Sequence, residues 1–151
     1  RVAIATVRER SKKKEVKNIL FRYESGMLII TLPSGRELFY AKPRIEENRF
    51  GGESITYEGV GTGKRWERIE TYGAKLVENI VQAISRDILC SALMTFQYSD
   101  IVMHVHDEIV IEADPRMSVQ AVCEQMSRTP KWAKGLKLDA DGFTCPFYQK
   151  D

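Results

Sequence analysis

His104-Val105-His106-Asp107-Glu108-Ile109-Val110-Ile111-Glu112 follows the apolar run Ile101-Val102-Met103 and leads straight back into apolar residues. Short apolar runs on both sides of a polar pair predict two strands joined by a tight turn. The turn would carry two adjacent carboxylates, Asp107 and Glu108. Asp suits a turn, but a second carboxylate beside it adds like-charge repulsion that a turn alone does not need. A divalent cation would relieve it. Hard cations such as magnesium take carboxylate oxygens and waters. The plainer reading is a solvated turn on an edge hairpin, so the surrounding chain has to decide.

Upstream lies the longest helical pattern, from about Trp66 to Gln97. Leu76, Val77, Ile80, Ile84 and Ile88 recur at helical spacing and predict one apolar stripe. Asp87 falls within that stripe and would need a partner if buried. Lys75, Asn79, Gln82 and Arg86 share the opposite face, which contains no acid. Amides both donate and accept, which suits base edges in a minor groove, whereas Arg and Lys suit phosphates. The competing reading is an ordinary solvated face.

The flanking segments fill in the rest. Met27 to Leu32 and Arg36 to Ala41 read as a hairpin around Pro33-Ser34-Gly35. Pro43 to Gly52 reads as irregular, and Ser54 to Val60 as a further strand. Gly59, Gly61 and Gly63 before Lys64 suggest a phosphate loop, but Glu58 stands where its first glycine should be and Arg65 follows the lysine. A glycine linker is the better reading. Asp114-Pro115 would open a helix of about fourteen residues, by its helical spacing, ending near Thr129-Pro130, with Val119, Val122, Cys123 and Met126 on its buried face. Leu136 to Ala140 alternates like a strand before Asp141-Gly142.

The bulk properties set limits. A chain of 151 residues is about one domain and can bury a sizeable core. A net charge of +2 is too small to imply a partner. The charge is uneven, however. Arg1, Arg8, Arg10, Lys12, Lys13, Lys14 and Lys17 crowd the first segment against only Glu9 and Glu15. Such a cluster can meet phosphates, or it can be a solvated, mobile end. Cys90, Cys123 and Cys145 form no CxxC pair, which argues against a disulfide framework and structural zinc. With no signal peptide and no membrane-length apolar run, the expected location is cytoplasmic, with no membrane partner. The chain begins at Arg1 rather than Met, which reads as a segment of a longer protein.

Tyr72-Gly73-Ala74-Lys75-Leu76-Val77-Glu78-Asn79-Ile80-Val81-Gln82-Ala83-Ile84-Ser85-Arg86-Asp87, followed by Val105-His106-Asp107-Glu108, resembles the C-terminal palm of family A DNA polymerases. It is most similar to the phage and prophage branch. The resemblance runs from about Leu32 to the end. It implies an α+β fold, an antiparallel palm sheet with a catalytic hairpin packed against a long helix and a second, shorter helix. Residues 1–26 would be a basic segment from the fingers–palm connection, and 27–151 the C-terminal part of the palm.

The resemblance also implies DNA-directed nucleotidyl transfer in DNA replication, acting on primer-template DNA and a dNTP. The cofactor would be magnesium, as a two-metal site. Asp107 would be a catalytic carboxylate and Glu108 a supporting one, both near the metal. His106 would contact the primer end, Gln82 and Asn79 the minor groove, Arg86 the template strand or the acidic cluster, and Lys75 the DNA. The family's other aspartate motif and its nucleotide-gripping fingers helix have no match; the first aspartate in the chain is Asp87. The metal site would therefore be incomplete and the segment inactive alone.

Two other functions remain open on sequence. One is a non-catalytic nucleic-acid-binding module using the basic segment and the polar helix face. The other is a metal-dependent hydrolase built on His104, His106 and Asp107, with the two histidines on one side of a strand. Absence of the family's first palm strand would leave an open sheet edge and invite self-association.

Overall fold

The computed structural model describes residues 1–11, 13–96 and 100–149, Asp100 through its backbone alone. Lys12 and Gln97 lie outside the described residues. The architecture is α+β, as expected. The order is α1 (Val2–Glu9), β1 (Lys14–Val16), β2 (Ile19–Glu24), β3 (Met27–Thr31), β4 (Glu37–Glu47), β5 (Glu53–Val60), β6 (Trp66–Thr71), α2 (Gly73–Leu93), β7 (Asp100–Val105), β8 (Glu108–Glu112) and α3 (Val119–Met126). The chain divides into two compact units, residues 1–82 and 83–151.

The first unit is an antiparallel meander, β1 through β6 in sequence order. Two-residue turns make this possible. Lys17 and Asn18, with φ of 50° and 62°, join Val16 to Ile19, and Ser25 and Gly26, at 51° and 76°, join Glu24 to Met27. Positive φ at both central residues is the type I′ arrangement, whose twist matches that of the flanking strands. Residues 1–26, read from sequence only as a basic run, thus supply α1 and two strands of the sheet. Leu28, Ile29 and Ile30 are buried in succession on β3, so both faces of the sheet are covered there.

Three local expectations are corrected in this unit. Pro43 to Glu47 is strand, not irregular chain. A register shift between Ala41 and Arg44, with Lys42 at a φ of 44°, lets the strand carry a proline that cannot donate. The glycine stretch is a tight hairpin turn rather than a linker, closed by the Gly61 N–H on the Arg65 carbonyl at 3.0 Å. Trp66 to Thr71 is a strand and not the start of the helix. Its Arg68 meets Glu58 across the sheet at 3.2 Å, and Lys42 meets the same carboxylate at 2.7 Å. A cross-strand ion pair needs the period of two, which the helical template overlooked.

In the second unit, α3 begins at Val119 and not at Asp114. Asp114 turns back on Arg116, accepting from its backbone N–H at 2.9 Å, and Ser118 caps the helix through its hydroxyl on the Ala121 N–H. Side chains that satisfy nearby backbone groups compete with helix, which moves the start downstream. Cys123 is the buried residue of α3; Val119, Val122 and Met126 are half-buried. Leu136 to Ala140 is not a strand, since no neighbouring strand pairs with it among the described residues. Gly142 instead lies close against α3, where an added Cβ would sit 3.2 Å from the Cys123 sulfur.

Helix α2 does not bury one stripe. At about 100° per residue, Leu76, Ile80 and Ala83 lie on one side and Leu89 and Ala92 on nearly the opposite side, and all five are buried. Val77, placed in the stripe from sequence, is 60% exposed. The apolar periodicity of a helix that buries different sides at its two ends cannot be read as one face.

Candidate functional site

β7 and β8 form a two-stranded antiparallel sheet whose last pair is Val105 and Glu108. The turn is therefore His106-Asp107. Glu108, expected in the turn, is the first residue of β8 and half-buried. His106 has a φ of 51° and Asp107 does not share that left-handed region. Histidine is among the non-glycine residues that enter it more often, at some cost in strain. The strain goes with presentation: His106 and Asp107 are both exposed at the tip.

Alternation divides the hairpin into two faces. Val105 and Glu108 share one face; His104 and its partner Ile109 share the other. On the His104 face stands Arg86 of α2. Its Nη1 lies 3.2 Å from His104 Nδ1 and its Nη2 3.4 Å from His104 Nε2. The in-plane lone-pair directions of an imidazole point widely apart. Reaching both with one side chain takes two nitrogens on a single flat group, which arginine's fork supplies. On the Glu108 face, the Tyr148 hydroxyl donates to Glu108 Oε2 at 3.4 Å. Partial desolvation, and then the charge of Glu108, push the Tyr148 phenol above its ordinary range. It stays protonated at neutral pH and serves as the donor.

The amide-bearing helix face differs from the sequence picture. Asn79 Nδ2 donates to the Tyr40 hydroxyl at 3.3 Å. Tyr40 is buried and packs edge-on against Tyr57, ring centres 5.0 Å apart. Burial raises the Tyr40 phenol above its usual range, and the Asn79 hydrogen bond opposes the rise. Nor is the face free of acid. Glu78 takes Lys75 Nζ at 2.9 Å and Gln82 Nε2 at 3.4 Å. Its position is off the face, but its side chain reaches neighbours three and four residues away. Gln82 and Arg86 are exposed.

The structure thus places Arg86 with the hairpin in the second unit, and Lys75, Asn79 and Gln82 in the first. Sequence reasoning missed Tyr148, Glu78 and the role of His104. Their only signal was residue type, an aromatic near the end of the chain and a glutamate on a helix. The shared-strand reading of His104 and His106 fails, because β7 ends at Val105. Among the described residues no group of three or more His, Cys, Asp or Glu stands together as a metal site. The basic first segment is partly neutralised: Arg8 pairs with Glu53, and Lys14 with Glu9 at 2.7 Å. No described helix is long and apolar enough to cross a membrane.

Comparison with known proteins agrees with the resemblance at a coarser level. The sequence is 48% identical over 153 aligned positions to a DNA polymerase of Bacillus phage SP02, an alignment that takes in 99% of this chain and 24% of that protein. No family model matches the chain. No solved structure matches it either. The chain spans about a quarter of the length of the curated relative to which it is similar.

Proposed function

We propose that this chain is part of a DNA-directed DNA polymerase of family A, contributing the C-terminal palm. The observation that carries the reading is the β7–β8 hairpin, which exposes Asp107 at its tip with Glu108 beside it. The likeness to the phage polymerase along nearly the whole chain supports it.

In this reading Asp107 and Glu108 hold magnesium. Two carboxylates fit that ion, which keeps several waters and completes its shell with substrate phosphates. Bound magnesium would supply charge neutralisation and activation of the primer hydroxyl. The chain's own residues do the positioning. Asp107, which takes no hydrogen bond among the described residues, offers both oxygens. His106 at the same tip meets the primer end. Gln82, exposed and held by a long 3.4 Å contact to Glu78, can swing to a minor-groove acceptor. Asn79 can turn its carbonyl oxygen toward DNA but spends its amino group on Tyr40. Arg86 acts on the hairpin through His104, and Lys75 offers charge toward a phosphate. An aspartate outside this chain and a nucleotide-binding helix complete the site.

The full-length protein should extend a primed template in magnesium, giving products whose length follows the template, while the 151-residue piece should give none. Template-directed extension by the piece would overturn the incomplete-site reading. Failure of the full-length protein would favour the binding module, whose affinity would ignore magnesium and fall steeply with salt.

A further inference from the structure

We infer that Tyr148 is a positioning residue for Glu108, and through it for the acidic tip of the hairpin. The inference rests on the polymerase reading and adds a residue that the sequence resemblance did not assign.

Glu108 is half-buried on β8, on the face it shares with Val105. The Tyr148 hydroxyl donates to Oε2, and Oε1 takes no hydrogen bond among the described residues. One carboxylate oxygen is therefore anchored and the other is left for a water or an ion. A carboxylate bound on one oxygen is held in fewer rotamers. Adjacent Asp107 repels it, so without a donor Glu108 would turn toward solvent. At 3.4 Å the bond is long. Hydrogen bonds in sites without substrate are often long and tighten as the reacting complex forms. Groups that hydrogen-bond a metal-binding carboxylate orient it and tune its basicity.

The placement of Tyr148 favours this role over mere packing. Tyr148 is 47% exposed, so it contributes little to a core. The approach is also distinct from that of Arg86, which meets the hairpin on the His104 face. The two contacts hold opposite faces of one two-stranded sheet, which is marginal alone.

The test uses the full-length protein with Tyr148→Phe, which keeps the ring and removes the hydroxyl. Extension should slow by roughly ten-fold at fixed magnesium, with the magnesium concentration for half-maximal rate shifted upward. KM for the nucleotide and affinity for primer-template should stay within about two-fold, because such a change acts after uniform binding. On a Glu108→Gln background the Phe substitution should add nothing. Normal rates and magnesium dependence in Tyr148→Phe, with a defect only in Tyr148→Ala, would overturn the inference in favour of ring packing. Additive losses in the double variant would overturn it as well. If Asp107→Ala leaves extension intact, the polymerase reading fails instead, so the two failures are told apart.

Discussion

The Arg86 guanidinium meets both ring nitrogens of His104, Nδ1 at 3.2 Å and Nε2 at 3.4 Å. This contact joins α2 to the strand that leads into the His106-Asp107 turn. A lysine in place of Arg86 keeps the charge but has neither the flat fork nor the two paired nitrogens. Arg86→Lys should change unfolding free energy by no more than about 0.5 kcal/mol, as at most exposed sites. Extension by the full-length protein should fall roughly ten-fold, because small misplacements of reacting groups are costly. Urea unfolding and steady-state extension would check the two halves separately. A wild-type rate in Arg86→Lys would mean that charge alone matters.

Asn79 is expected to have a structural duty beside any contact with DNA. Its amino group is the donor to the buried Tyr40 hydroxyl. Asn79→Ala should destabilise by about 1 kcal/mol, the usual net value of such a bond. Gln82→Ala, which removes only an exposed 3.4 Å contact, should leave stability nearly unchanged. Denaturant melts of both variants give the comparison. Equal stability would show that the Tyr40 bond contributes nothing.

Sheet stability should depend on acid in a defined direction. The Arg22 guanidinium hydrogen-bonded to Glu37 holds that carboxyl below its ordinary value of 4.5. Lys42 first, and then the Trp66 indole, do the same for Glu58. A depressed carboxylate contributes its stability above the unfolded-state value and loses it as pH falls through the folded value. Unfolding midpoints should therefore be flat from neutral pH down to about 5 and drop below 4.5. Glu37→Gln should weaken that drop. The check is a series of urea midpoints against pH, and an unchanged acid limb in the variant would contradict the assignment.

The two-stranded β7–β8 sheet should make the piece self-associate. No third strand joins it among the described residues. Unpaired strand edges invite pairing with another chain. Light scattering on the isolated piece should show growth in mass with concentration, and a monomer at high concentration would contradict this.

What the sequence made legible follows from the range of each interaction. The β7–β8 hairpin could be read because alternation and turn chemistry are local, and so could β3, β5 and the first half of β4, up to Ala41. The exact turn was missed by one residue, since a two-residue turn takes either His106-Asp107 or Asp107-Glu108 with similar residue preference. Registry across the strands decides, and that is a pairwise property. Trp66 to Thr71 went to the helix because reading the glycine stretch as a linker hid the hairpin that pairs it with Ile55 to Val60. The polar face of α2 was legible as a list, but not its bonding. Asn79 meets Tyr40, 39 residues away, and Arg86 meets His104, 18 away. Tyr148 had no signal beyond its residue type, because its role depends on the C-terminal segment returning to Glu108, 40 residues earlier.

On the proposed function, Asp107 at the hairpin tip holds the ion on which nucleotidyl transfer depends. The most direct measurement is primer extension by the full-length protein carrying Asp107→Ala, with primer-template affinity measured alongside. Extension should fall by roughly a thousand-fold, the scale of losing a principal transition-state group, with affinity within about two-fold of wild type. Extension near the wild-type rate would contradict it.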